Sequence, residues 1–137
     1  MSEPEVYLAI GQFVFWFSKL ESILKADLAG LLDLENQHFD PVTSAFDFAQ
    51  LCSVLKAIKR KGSTSETTKR VDDYFKQCMK INDERVRVVH GDWTLTGVRV
   101  VSRGSREPKI YFSDLAELLR WADKAKELAQ RYSEFMG

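Results

Sequence analysis

Apolar residues return at intervals of three and four along most of this chain, a spacing that predicts four long helices. The first runs from about Glu5 to Asp33 on the stripe Val6, Ile10, Phe13, Phe17, Leu20, Leu24, Leu28 and Leu31, with Ser2 and Glu5 at capping-box spacing before it. Asp40-Pro41 offers an N-cap and a first-turn proline for a second helix, which continues through Phe46, Phe48, Leu51, Leu55 and Ile58 to about Lys61-Gly62. Ser63 and Glu66 repeat the capping-box spacing and open a third helix on Val71, Tyr74, Phe75, Cys78, Ile81, Val88 and Val89, with Gly91 as its stop.

From Trp93 the period changes. β-Branched Thr94, Val98, Val100 and Val101, turn residues Ser102-Arg103-Gly104-Ser105, and Lys109 to Phe112 predict a β-hairpin. Ser113 then caps a last helix on Leu118, Trp121, Ala125, Leu128, Tyr132 and Phe135. The expected fold is one domain over residues 1–137, an all-α, up-and-down four-helix bundle with a short β-hairpin before the last helix.

Composition narrows the class. The hydrophobic share of 45% and charged share of 29% are those of a globular protein, and no apolar run approaches the ~18 residues of a membrane span. The start, Met1 to Glu5, is acidic where an export signal is basic, which points to a cytoplasmic protein with reduced cysteines. Cys52 and Cys78 stand alone, without metal-ligand spacing, and read as core thiols. The overall charge is zero but polarised. Residues 1–50 carry 2 basic against 8 acidic side chains, a net −6, whereas residues 51–112 carry 14 against 7, a net +7. A basic middle permits a polyanionic partner.

The third helix breaks its own pattern. Continuing the stripe from Cys78 reaches Asn82 and Arg85 before apolar residues resume, and a guanidinium on a core face needs a partner or a wet cleft. His90 follows five positions later at the helix end. On an ideal helix that separation is ~7.5 Å of rise and ~140° of rotation, so the two converge only if the last turn departs from helical geometry or a second copy supplies one of them.

The segment Asn82-Asp83-Glu84-Arg85-Val86-Arg87-Val88-Val89-His90-Gly91-Asp92-Trp93 resembles the signature of the HEPN superfamily, an Arg and a His a few residues apart ending a long helix. Ile10-Gly11, the aromatic run after it and Leu20-Glu21 are similar to the start of many such domains. The resemblance implies a helical homodimer with both Arg-His pairs at the interface, and a metal-independent endoribonuclease of a toxin–antitoxin or antiviral system. It requires no cofactor, and its partners are RNA and an antitoxin or regulator. Arg85 then corresponds to the motif Arg and His90 to the motif His. Val86 follows Arg85 where active members commonly carry a polar residue, which points to the alternative of a non-catalytic RNA-binding or assembly module.

The chemistry is coherent. RNA brings its own nucleophile, the 2′-hydroxyl; histidine exchanges protons near neutral pH, and arginine offers a permanently charged fork to phosphate. Asn82, one turn before Arg85, is placed to orient it or a phosphate oxygen, and Glu21 is the expected carboxylate holding Arg85. Lys56, Lys59, Arg60 and Lys61, with Arg87, Arg99 and Arg103, are the candidate RNA-binding cations. Each also has a structural reading, as helix-terminal charge, ion pair or edge protection. Finally, Phe13, Phe15, Trp16 and Phe17 cannot all face one core, so Phe15 and Trp16 are expected on the far side, under a two-fold interface.

Overall fold

A computed structural model describes residues 1–101, 104 and 106–136, the last two by backbone only. Six helices and a small antiparallel sheet follow in the order α1 (Glu3–Leu31), α2 (Asn36–Thr43), α3 (Phe48–Arg60), α4 (Ser65–His90), β1 (Asp92–Thr94), β2 (Gly97–Val101), β3 (Pro108–Tyr111), α5 (Leu115–Gln130) and α6 (Tyr132–Met136). No helix among the described residues is long and apolar enough to cross a membrane.

The first helix starts as the sequence dictates, with Ser2 and Glu5 forming the reciprocal cap. It stops two residues early because Asp33 turns left-handed (φ 53°), letting the Leu34 N–H reach the Ala29 carbonyl. The expected second helix is two. Pro41 lies inside α2 rather than at its first turn, and a second reciprocal cap, Asp47 with Gln50, begins α3 afresh. The cap of α4 is Thr64, whose hydroxyl accepts the Thr67 N–H, in place of Ser63. Asp114, rather than Ser113, caps α5.

Side-chain contacts fix the helix directions. Phe17 of α1 packs on Phe48 at 4.6 Å between ring centroids, and Asp27 near the end of α1 meets Lys59 near the end of α3 at 2.8 Å, so these helices run parallel. Lys126 of α5 lies over Trp16, and Asp27 also accepts the hydroxyl of Tyr132, just beyond α5, so α5 runs the same way. Asp72, early in α4, faces Lys56 and Arg60, late in α3, so α4 runs against the other three. The expected up-and-down order is therefore broken once: residues 32–47 return the chain along the molecule before α3 begins. Phe13, Leu20, Leu24, Leu51, Leu55, Ile81, Leu118 and Leu128 share one core. Cys52 and Cys78 are both in it.

The expected hairpin is a three-stranded meander. β2 pairs with β1 in the register Trp93↔Val98, and with β3 in the register Val98↔Tyr111. The turn expected at Ser102, Arg103 and Ser105 lies outside the described residues. Val98 and Phe112 anchor the sheet in the core, Trp93 stacks on Phe112, and the Trp93 indole N–H donates to the Val88 carbonyl at 2.8 Å, covering the end of α4.

Two predictions follow from this packing. A Cβ at Gly91 would overlap Val98 Cγ2 and stand 2.7 Å from the Arg87 carbonyl oxygen, so Gly91→Ala is expected to destabilise the fold by ~1–3 kcal/mol in denaturant titrations. Tyr74 is fully buried with its hydroxyl on the Leu128 carbonyl, and burial holds its pKa far above the usual value; burial and Asp27 do the same for Tyr132. In the unfolded chain these phenols ionise near pH ~10. Stability is thus complete below that pH and falls as pH rises past it, by ~1.4 kcal/mol per unit for the fully buried Tyr74 and less for Tyr132. Thermal melts between pH 9 and ~11 should show this decline, and Tyr74→Phe should flatten it.

Candidate functional site

The polar break in the third helix has a structural cause. Cys52 of α3 and Cys78 of α4 are neighbours in the core, so the start of α3 at Phe48 comes level with about Asn82. Beyond that level α4 runs on without α3 beside it. The edge of its stripe that faced α3 emerges there: Asn82 and Arg85 are half-buried and Val86 and Val89 are 43% and 48% exposed, while Val88 stays in the core. The Arg85 guanidinium lies on the Phe17 ring, 5.4 Å from its centroid, so the apolar stem rests on the core while the charge stays wet.

Glu21 does not hold it. The Glu21 carboxylate pairs with Lys25 one turn along α1, at 3.7 Å, and Arg85 has no carboxylate within ion-pair distance among the described residues. Asn82 is half-buried on the same stripe, and its amide takes no hydrogen bond among them.

His90 is exposed and is the last residue of α4. The helix stays regular through it, because the Gly91 N–H still bonds the Arg87 carbonyl at 3.0 Å. The ~140° offset from Arg85 therefore stands, and unwinding of the last turn is ruled out as a way of bringing the two together. Within one chain the two side chains therefore leave α4 in different directions. The end of the helix is capped by the Trp93 indole, a role open to His90 on sequence grounds.

Most of the candidate RNA-binding cations are engaged within the fold. Lys59 stands 2.8 Å from Asp27 and 5.8 Å from the centre of the Tyr132 ring, tying α3 to α1 and to the chain end. Lys56 and Arg60 share Asp72 Oδ1 at 3.8 and 3.5 Å, a loose arrangement in which that buried oxygen receives no hydrogen bond. Arg87 pairs with Glu84 at 2.6 Å and lies 4.3 Å from the centre of the Tyr111 ring, joining α4 to the sheet. Lys61 and Arg99 are exposed without an ion pair among the described residues, Arg99 standing opposite Asp92 across β1 and β2. Arg103 lies outside the described residues.

The aromatic run divides differently from expectation. Phe15 is exposed, but Trp16 turns inward onto the core, where Lys126 covers its ring. What the sequence reading missed is how far the outer face extends. Tyr7, Leu8 and Val14 are exposed beside Phe15, and their spacing, seven residues from Tyr7 to Val14 and from Leu8 to Phe15, is a second helical stripe that was there to be read.

Compared with family models, curated proteins and solved structures, the chain finds no match.

Since Arg85 rests on an aromatic ring and leaves no carboxylate orphaned, its removal should be mild. Arg85→Ala is expected to cost about 0.5–1 kcal/mol, not the several lost when a buried ion pair is broken. Thermal denaturation of the variant beside the parent measures it.

Proposed function

We propose that this chain is a HEPN-type, metal-independent endoribonuclease that works as a homodimer on RNA, with Arg85 as phosphate clamp and His90 as proton-transfer group. The observation that carries the reading is the state of Arg85: a guanidinium on the core-facing stripe of α4, where α3 no longer covers it, with no carboxylate neutralising it among the described residues. A guanidinium that rests on a ring, carries no counter-ion among the described residues and is open to solvent beside the half-buried Asn82 is available to an anionic ligand such as a phosphodiester.

In this reaction the 2′-hydroxyl of RNA attacks the adjacent phosphorus, its proton passing to a base. The bond to the 5′-oxygen breaks, and that oxygen takes a proton from an acid. Neutral histidine serves as the base and its protonated form as the acid, since both are populated near neutral pH. Arg85 offsets the charge that develops on the phosphoryl oxygens. Because Arg85 and His90 leave one helix on different faces, their joint action joins Arg85 of one copy to His90 of the other. An RNA substrate places the work in the cytoplasm, and an activity of this kind calls for a restraining partner, an antitoxin or regulatory protein.

A second reading, a non-catalytic RNA-binding or assembly module, is favoured by a specific observation. Lys56, Lys59, Arg60 and Arg87 are already paired with carboxylates, leaving Lys61 and Arg99 as the described members of the candidate RNA-binding set without an ion pair, which favours the assembly form of this reading. The two readings part in one assay. Labelled single-stranded RNA incubated with the protein in chelator should be cut, and His90→Ala should slow cutting by ~10²–10⁴-fold while leaving the melting temperature nearly unchanged. Salt-sensitive RNA binding without cleavage would establish the binding module instead. Neither cleavage nor binding by the parent protein would remove the ribonuclease and the RNA-binding module and leave the assembly module.

A further inference from the structure

The first helix carries two apolar faces, and only one is used by the fold. Val6, Phe13, Phe17, Leu20 and Leu24 are buried. On the opposite side Tyr7, Leu8, Val14 and Phe15 are 66%, 62%, 41% and 51% exposed, and a Cβ at Gly11 between them would meet nothing within 4 Å. A helix that is apolar all round is ordinarily enclosed on all sides. This one is half uncovered from Tyr7 to Phe15, over about two turns.

The exposed face is symmetric about Gly11. Tyr7 and Phe15 lie four residues to either side, and Leu8 and Val14 three. At ~100° per residue, Tyr7 and Val14 fall to one side of the Gly11 direction and Leu8 and Phe15 to the other. We infer that α1 of a second copy packs antiparallel on this face, about a two-fold axis level with Gly11. The axis sets Leu8 against the partner's Phe15 and Tyr7 against the partner's Val14, with the two glycines letting the backbones approach.

Three features select a second copy of this chain rather than an unrelated partner. First, on the side of Leu8 and Phe15 the helix is acidic where it begins, at Glu5, and basic where it ends, at Lys19, whose ammonium lies over Phe15. Antiparallel pairing brings unlike ends together and opposes the helix dipoles, whereas parallel pairing would set like on like. Second, the flank of α1 on the Leu8 side is hollow: Leu8, Ala9 and Gln12 with Leu115 and Leu119 of α5 enclose an apolar groove of about 250 Å³. The two-fold delivers the partner's Phe15 to that side at that level, an aromatic anchor entering a pocket. Third, the exposed face supplies both halves of the contact, the projecting ring and the hollow that receives it, as an isologous interface requires.

The inference rests on the two-copy part of the function proposed above, and not on RNA cleavage. It also deepens that part. Arg85 lies over Phe17 on the Val14 side of α1, and a two-fold of this kind keeps each side of α1 with the same side of its partner. The ends of both α4 helices, with Val86, Val89 and His90, thus come to one side of the assembly.

Sedimentation equilibrium at micromolar concentration should return twice the 15.8 kDa of one chain. Phe15→Glu, a change at an exposed position, should return a single chain with unaltered circular dichroism. Under diamide, Gly11→Cys should cross-link to itself, and a mixture of Leu8→Cys and Phe15→Cys proteins should cross-link to each other more than either does alone. A monomeric parent protein, or a dimer that persists in Phe15→Glu and does not cross-link through Gly11→Cys, overturns the interface. A dimer with these properties that leaves RNA intact upholds the interface and removes only the ribonuclease.

Discussion

The contact between Phe17 and Phe48, two rings 4.6 Å apart, is the one on which the arrangement of this molecule turns. It fixes where α3 begins against α1, and thereby how far α3 extends along α4. With α3 starting at this level, the last turns of α4 have no helix on that side, and the edge of their stripe at Arg85 and Val89 meets water while Val88 stays in the core. The same Phe17 ring supports the Arg85 guanidinium. One aromatic cluster thus closes the core above and holds a cation at its open edge below. A charge there avoids the desolvation cost that would fall on it one or two turns earlier, at Ile81 or Cys78.

The opposite ends of the molecule are closed by different means. Where α3 ends, Asp27 gathers Lys59 and Tyr132, so α1, α3 and the start of α6 meet on one carboxylate. Where α4 ends, the meander takes over. Trp93 caps α4 through its indole and stacks on Phe112, Val98 enters the core, and Arg87 lies on Tyr111. A three-stranded sheet this small is marginal alone, and these contacts make it part of the helical core. They also leave His90 outside, on the one face of the last turn that neither sheet nor core covers.

Four of the cations legible in the sequence as a nucleic-acid footprint are used by the fold itself. Lys56, Lys59, Arg60 and Arg87 hold helices and sheet together, and such pairs at the surface contribute little individually while fixing which elements lie side by side. Across the asymmetry of charge along the chain, Asp27 and Lys59 join the acidic first helix to the basic middle, whereas Lys56, Arg60 and Arg87 pair with acids of the middle itself.

Local signals in the sequence determined local structure. The Ser2–Glu5 cap, the buried stripe of the first helix, the core thiols, the change of period at Trp93 and the polar interruption at Asn82 and Arg85 depend on residues within a few positions of one another, and each was legible. The break between α2 and α3 was legible too, in Asp47 and Gln50, but the proline at 41 competed for the same role. Tertiary structure decided what depends on distant neighbours. A stripe shows which side of α4 faces inward, but not that α3 falls short of its end, so Arg85 could be read as interrupting the core but not as resting on Phe17 free of Glu21. Helix direction was likewise undetermined, since periodicity is the same read either way along a helix, and it took Phe48 on Phe17 and Lys59 on Asp27 to set α3 parallel to α1. Trp16 and Phe15 show the limit most simply: adjacent on one helix and alike in hydrophobicity, they are separated by ~100° of rotation, and only the position of α5 determines which of them is covered.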